Sequence, residues 1–154
     1  MAEKVKIIEY FYATVNDRPG EGRRLLEHLS EKGVNLIAFN AFPIGIEISQ
    51  LNLYPSNPEQ LQSAAADANI DLIGPKQAIL IQGDDRVGAL HHHHLKLANA
   101  GINVHAATGF VIDPGKYGFL LWVDPKDVRK AEEVLLKSET DGEFGSISPG
   151  NADW

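Results

Sequence analysis

The first half of the chain carries apolar residues at strand-like and then at helix-like spacing. Residues 5–15 are rich in β-branched and aromatic side chains, which predicts a strand that ends in a turn. Apolar residues then recur at three- and four-residue spacing within positions 25–29, which predicts a helix. Pro19 suits the first turn of that helix and Gly33 suits its end. The chain is therefore expected to begin with a strand and a helix.

Two further strands, a helix and a short last strand complete this first pattern. Residues 34–42 and 44–54 are apolar-rich, so we expect them to form a strand pair. Asn57 offers a side-chain cap and Pro58 suits a first helical position, which predicts a second helix. Residues 70–73 predict a short strand that closes the unit.

The second half of the chain repeats this order of elements. The predicted elements are a strand at 77–82, a helix at 87–100, a strand pair at 102–112 and 117–123, and a helix that starts after Asp124. A closing strand is hard to recognise. Residues 138–154 are rich in Ser, Gly, Asp, Glu, Asn and Pro, so we predict mostly a flexible tail.

Two short motifs indicate that the halves are copies of one unit. Asp-Arg-Pro-Gly at 17–20 precedes Gly-Val-Asn at 33–35, and Asp-Arg-Val-Gly at 85–88 precedes Gly-Ile-Asn at 101–103. Each residue of the second copy lies 68 positions after its counterpart, as Asp85 does after Asp17. Because motif and spacing recur together, we predict two units, at residues 1–75 and 76–137.

Composition narrows the class of protein. Of the 154 residues, 44% are hydrophobic and 23% are charged, as expected of a folded soluble protein. The chain has no cysteine, which excludes disulfides and thiolate metal sites. Neither a signal peptide nor a run of about 20 apolar residues is recognisable, so we expect a cytoplasmic protein without a membrane partner. The formal net charge of −7 disfavours nucleic-acid partners.

Catalysis and RNA binding find little support in the sequence. Residues 117–122 partly match the aromatic motif of RNA-recognition strands, but the basic residue of that motif is missing. The chain has no nucleophile in a recognised setting, no phosphate loop and no His-Glu-x-x-His run. We therefore expect a protein that is not an enzyme and needs no cofactor.

The repeated motif resembles the ACT domain, an amino-acid-sensing module attached to many enzymes of amino-acid metabolism. The resemblance covers roughly residues 5–137, and its short motif occurs twice. It implies an α/β fold of two ferredoxin-like βαββαβ units packed side by side, with antiparallel sheets and helices on one face. In that family, effector amino acids bind where two modules meet. The ligand lies between the loop before the first helix of one module and the Gly-Val-Asn strand of its neighbour.

The resemblance makes six residues candidate ligand contacts, three in each unit: Asp17, Gly20, Asn35, Asp85, Gly88 and Asn103. A glycine at a helix start lets a ligand approach free N–H groups, which favour a carboxylate. An aspartate can pair with an ammonium group, and an asparagine offers both donor and acceptor groups. By resemblance, the aspartate position is an asparagine in serine-sensing members. The alternative is purely structural, because Asp and Gly are common in turns and Asn often ends a strand.

One difference between the copies concerns the first helical turn. Gly22 of the first unit corresponds to Leu90 of the second, and the family usually has a large aliphatic residue there. Gly22 either opens a pocket or leaves a gap that bulky neighbours fill. The neighbours that we considered are Tyr12, Phe39, Phe42 and Tyr54.

A second difference is the run His91–His94, in which two histidines replace Leu25 and Leu26 of the first unit. His91 and His94 share a helix face and are candidate metal ligands. Further candidate ligands are His28, His105 and Asp85. The alternatives are adventitious binding of nickel or zinc, and a packing role in which His93 or His94 is half-buried and hydrogen-bonded.

Together these observations predict a regulatory protein that binds an amino acid at the junction between ACT-like units. We expect a homodimer, or a complex with a partner enzyme or regulator. Two alternatives remain: an interaction or oligomerisation module without a ligand, and a metal-binding protein that uses the histidine run.

Overall fold

The computed structural model describes residues 3–112 and 114–137 of the chain. It contains six strands and four helices, with a short 3-10 turn at Pro125–Asp127. The strands are β1 (Lys4–Asn16), β2 (Leu36–Gly45), β3 (Ile48–Pro55), β4 (Ile73–Asp84), β5 (Val104–Ile112) and β6 (Lys116–Val123). The helices are α1 (Glu21–Glu31), α2 (Pro58–Asp67), α3 (Ala89–Asn99) and α4 (Val128–Leu136). The residues of the predicted tail, 138–154, lie outside the described part.

All six strands form one antiparallel sheet in the order β2-β3-β1-β4-β6-β5. The long strands β1 and β4 are the central pair. Each unit contributes two helices, α1 and α2 in the first and α3 and α4 in the second. The order of elements confirms the predicted fold class of two ferredoxin-like units packed side by side.

The register of the central pair reproduces the repeat in the sequence. Glu9 of β1 lies opposite Gln77 of β4. These two residues are counterparts, because 77 is 9 plus 68. An approximate two-fold axis that relates the units therefore passes between them.

The strand predictions at 70–73 and 77–82 need a correction. The structure has one continuous strand, β4, that starts at Ile73 and ends at Asp84. It stays extended because β1 is 13 residues long and offers it partners from Tyr12, opposite Ile73, to Lys4, opposite Gln82. The proposed boundary between residues 75 and 76 falls inside this strand, and it stays a prediction.

The sheet also explains why a closing strand was hard to recognise in the second unit. In the first unit, β4 is the fourth strand and lies beside β1. In the second unit, β4 is the first strand, and the beginning of β1 lies beside it, in the position of a fourth strand. Each unit therefore lends its first strand to the other.

Two buried clusters lie between the sheet and the helices, one in each unit. The first-unit cluster includes Leu25 and Leu29 of α1, and the second-unit cluster includes Leu97 of α3 and Leu135 of α4. A third cluster is formed by strand residues alone, on the opposite face of the sheet near its centre, and includes Tyr54 and Leu120. Tyr54 packs there against Tyr10 and Trp122 at ring-centroid distances of 5.0 and 6.2 Å.

Candidate functional site

The loops that precede α1 and α3 have the same backbone geometry. Gly20 and Gly88 take left-handed φ values of 93° and 83°, a conformation that favours glycine. Neither helix has a side-chain cap at its first turn. The N–H of Asp17 donates to the carbonyl of Glu47 at 2.8 Å, and the N–H of Asp85 donates to the carbonyl of Gly115 at 2.8 Å. Both loops are thus fastened to the turn of the following strand pair.

A cavity of about 460 Å³ opens beside the second of these loops. Asp85, Arg86 and Gly88 line it from the loop, and His91 lines it from α3. Its apolar wall is formed by residues of α3, β5 and β6: Ala89, Leu90, Gly109, Phe110, Val111 and Tyr117. A space of this kind, with a helix N-terminus at one side and an apolar wall at the other, suits a small ligand that carries an anionic group.

The structure brings together two of the six candidate contacts, Asp85 and Gly88, at this cavity. Asn103 of the same unit does not line it, because it lies past the far end of α3, a helix of 11 residues or about 16 Å. Asn35 is in the corresponding place after α1, where its carbonyl accepts a hydrogen bond from the Ser56 N–H at 2.9 Å.

Asp17 and Gly20 lie at the opposite end of the sheet from the cavity. Their loop follows the end of β1, and the loop of Asp85 and Gly88 follows the end of the antiparallel strand β4. The 13 residues of β1 separate the two loops by about 40 Å. All six candidate residues are exposed.

The exchange of Gly22 for Leu90 changes how each unit fills the space between helix and edge strand. Leu90 lies over Gly109, where a Cβ would approach Leu90 Cδ1 to 2.7 Å. At Gly22, an added Cβ would meet no other atom within 4 Å. The position of an added Cβ at Gly22 is therefore open, and the pocket at this glycine stays a prediction.

The four histidines of α3 differ sharply in burial. His93 is completely buried, His92 is partly buried, and His91 and His94 are exposed. The ring of His93 stacks near Phe119 at a centroid distance of 6.1 Å. His93 thus has a packing role, at the position that Leu25 has in the first unit, but it is completely buried and not half-buried as expected.

His93 belongs to a hydrogen-bonded group that also contains Tyr117 and Glu3. His93 Nε2 lies 2.6 Å from the hydroxyl of Tyr117, and that hydroxyl donates to Glu3 Oε1 at 2.8 Å. Because the hydroxyl proton is directed to Glu3, Nε2 must carry the hydrogen that joins His93 to Tyr117. His93 Nδ1 is then an acceptor, and it is buried without a hydrogen-bond partner.

Burial sets the protonation states of this group. Loss of hydration lowers the pKa of His93, and this outweighs the opposite effect of the Glu3 carboxylate, so the imidazole is neutral at pH 7. Burial, together with the hydrogen bond to Glu3 and its charge, raises the pKa of Tyr117 above its usual range. The group therefore holds its protons in one arrangement near neutral pH.

Comparison with known proteins identifies the fold through solved structures alone, since no family model and no curated protein sequence matches the chain. Protein BT0572 from Bacteroides thetaiotaomicron has a TM-score of 0.74 and 18% identity, over 85% of this chain and 88% of its own. The ligand-free regulatory subunit of aspartate kinase from Thermus thermophilus has a TM-score of 0.62 and 13% identity, over 86% and 93%. Aspartokinase alpha and beta subunits give a TM-score of 0.61 and 14% identity, over 88% and 95%.

The chain has the fold of tandem ACT domains. This confirms the resemblance found in the sequence, at the level of the fold. Each match extends over most of this chain and most of the neighbour. Each match therefore includes both units of this chain.

The sequence did not identify Tyr117, which lines the cavity, or Glu3, which is hydrogen-bonded to Tyr117. At the 68-residue spacing, the counterpart of Glu3 is Asp71 and the counterpart of Tyr117 is Ser49. The counterpart of His93 is Leu25. At this spacing only His93 replaces an apolar residue, since the counterparts of Glu3 and Tyr117 are also polar. Contact between Glu3, Tyr117 and His93 required the fold.

The metal hypothesis gains no geometric support from the described residues. Within residues 3–112 and 114–137, no group of three or more His, Cys, Asp or Glu side chains is placed to hold a metal ion. The candidates His91, His94 and His105 thus form no such group there. In the same residues no helix is long and apolar enough to span a bilayer.

Proposed function

We propose that this protein is a non-catalytic regulatory module that binds an amino acid between ACT-like units. The observation that carries the proposal is the cavity at the start of α3, where Asp85 and Gly88 come together. The uncapped helix start favours a carboxylate, and the Asp85 carboxylate favours an ammonium group. These are the two charged groups that every α-amino acid carries.

We further propose that a second copy of the chain completes the site. Strand β5 pairs only with β6 among the described residues, so its outer edge is available for another strand. Three of its apolar residues are exposed: Phe110, Val111 and Ile112. Antiparallel pairing of two β5 strands about Thr108 would bring Asn103 of one copy next to the turn beyond Ile112 of the other. That turn is bonded to the loop of Asp85 at Gly115, so Asn103 would reach the cavity of the other copy.

A thermal-shift screen against the twenty amino acids, followed by calorimetric titration of each hit, tests this function. We expect Asn103→Ala to weaken binding of the hit about tenfold without lowering the unfolding temperature, since Asn103 is exposed. Asn99→Ala, at another exposed asparagine at the end of α3, is the matched control and should bind like the wild type. Equal affinities in all three proteins would refute the role of Asn103, and a screen without any hit would refute amino-acid binding.

The alternative function, an interaction module without a ligand, is favoured by one observation. Strand β2 is the other edge of the sheet, and four of its apolar residues are exposed: Ile37, Phe39, Phe42 and Ile44. Exposed apolar residues along a free strand edge are typical of pairing with another chain. This function would gain weight if the protein forms a dimer that Phe39→Lys dissociates while no amino acid stabilises it.

A further inference from the structure

The cavity beside α3 has a wall residue whose position is fixed from two directions. Tyr117 of β6 lines the cavity. Its hydroxyl is hydrogen-bonded to Glu3, just before β1, and to His93 of α3. Tyr117 itself is almost fully buried. The ring is thus tied to two elements that the sequence separates by 90 residues, from Glu3 to His93.

The backbone of β4 leaves space for this arrangement. A Cβ at Gly83 would lie 2.9 Å from Glu3 Cγ and 2.9 Å from Tyr117 Cε1. In the first unit, the counterpart of Gly83 is Val15 and the counterpart of Tyr117 is Ser49. The second unit therefore combines a large polar ring, two groups that bond to it and a glycine that makes room for them.

We propose that Tyr117 is a positioning residue for the ligand of this cavity, and that the ligand is an α-amino acid with an aliphatic side chain. This inference rests on the proposed function. The charged groups of the ligand would lie at Asp85 and at the start of α3. Its side chain would lie against Leu90, Val111 and Tyr117, which offer an apolar surface. A wall of this composition favours an aliphatic side chain over a hydroxylated one, because it leaves a buried hydroxyl without a partner.

Glu3 and His93 act through Tyr117 in this arrangement. Without the hydroxyl, only packing holds the ring against the cavity, and the ligand has to order a more mobile wall when it binds. Loss of the carboxylate at Glu3 should have the same effect, whereas an amide in its place keeps an oxygen that accepts the Tyr117 hydrogen bond. This distinction separates positioning by a hydrogen bond from an effect of charge.

Calorimetric titration with L-isoleucine and L-serine tests the inference. We expect the wild type to bind L-isoleucine at least tenfold more tightly than L-serine. Tyr117→Phe and Glu3→Ala should each weaken L-isoleucine binding about fivefold, while Glu3→Gln should stay within twofold of the wild type. Ser49→Ala, at the counterpart of Tyr117 in the first unit, is the control and should leave the affinity unchanged.

The outcomes separate this inference from the proposed function. If L-isoleucine binds and Tyr117→Phe does not alter its affinity, the positioning role is wrong and amino-acid binding stands. If a non-aliphatic amino acid binds and L-isoleucine, L-leucine and L-valine do not, the aliphatic class is wrong. If none of them binds, the proposed function fails and the inference fails with it. Unfolding temperatures measured for each variant show whether a loss of affinity reflects loss of the fold.

Discussion

The two ACT-like units have the same order of strands and helices but differ in the side chains buried under their first helices, α1 and α3. In the first unit, Leu25 of α1 packs in an apolar cluster. In the second, His93 has the same position and is hydrogen-bonded to Tyr117, which also bonds to Glu3. The loops before both helices keep the same left-handed glycine and the same bond to the next turn. The two units thus have the same backbone geometry in the loops before α1 and α3 and different side chains buried under these helices.

This comparison shows how one duplicated unit can hold two different environments. An unpaired buried polar group costs about 1–3 kcal/mol, so the partners of His93 Nε2 reduce the cost of burying this histidine. Those partners are Tyr117 of β6 and Glu3, directly before β1. The beginning of β1 packs with the second unit because it pairs with β4. The exchange of strands therefore supplies the residue that makes the second environment possible.

The largest expected effect is that of placing the histidine in the wrong unit. Leu25→His would remove a buried leucine side chain and bury an imidazole. The counterpart of Tyr117 in the first unit is Ser49, whose short side chain cannot reproduce the role of Tyr117. The loss of apolar burial and the burial of an imidazole without hydrogen-bond partners should together lower the free energy of unfolding by about 4 kcal/mol. Urea denaturation monitored by circular dichroism measures it. A loss under 1 kcal/mol would show that the first unit can satisfy a histidine as well as the second.

A smaller effect is expected from filling the space that β4 leaves. Gly83→Ala would press a methyl group against Glu3 and Tyr117 and should cost about 1–3 kcal/mol, the usual penalty for overpacking. The matched control is Gly45→Ala, because a Cβ there meets no other atom within 4 Å. The control should change the free energy of unfolding by less than about 0.5 kcal/mol. Equal effects of the two variants would contradict the close packing at Gly83.

The pH dependence of stability should differ between wild type and His93→Leu. The pKa of His93 is lower in the folded protein than in the unfolded chain, whose histidines titrate near 6.5. Protonation therefore favours unfolding, so this contribution is fully present above about pH 6.5 and is lost as the pH falls toward the folded pKa. The added slope is at most about 1.4 kcal/mol per pH unit. Urea midpoints at pH 8, 6 and 5 should fall less in His93→Leu, and parallel curves would contradict the assignment.

The smallest effect should come from the open position in the first unit. Gly22→Ala places a methyl group where no other atom lies within 4 Å, and alanine favours a helix over glycine by about 0.5–1 kcal/mol. We therefore expect a slight gain in thermal stability. A loss would indicate that the space at Gly22 is closed in solution, and calorimetry of both proteins would detect either result.

Much of the fold was predictable because periodicity and turn residues act locally. The helices were predictable from apolar spacing and from Asn57 and Pro58, and the order of the units from the 68-residue repeat. The placing of Pro19 in the first turn of α1 was wrong, because Pro19 precedes the N-cap residue Gly20. The prediction failed at β4, where two short strands were expected. Its continuity depends on pairing with β1, some 70 residues earlier in the chain, and local sequence does not report such a partner.

The candidate site was predictable in its loops and not in its wall. Asp85 and Gly88 belong to a motif that is recognisable by itself, and the structure places both at the cavity. Tyr117 and Glu3 have no motif, and they meet only because β1 and β6, from opposite ends of the chain, lie on either side of β4 in the sheet. The ligand roles of all six sequence candidates stay predictions.

The most direct test of this account is a thermal-shift screen of the untagged protein against the twenty amino acids. A ligand at a hundred times its dissociation constant adds about 2.7 kcal/mol to the free energy of unfolding, which corresponds to a rise of several degrees for a chain of this length. We expect such a rise with an aliphatic amino acid, and a smaller one in Asn103→Ala. An unchanged unfolding temperature with all twenty would contradict the claim that the cavity beside α3 is an amino-acid site.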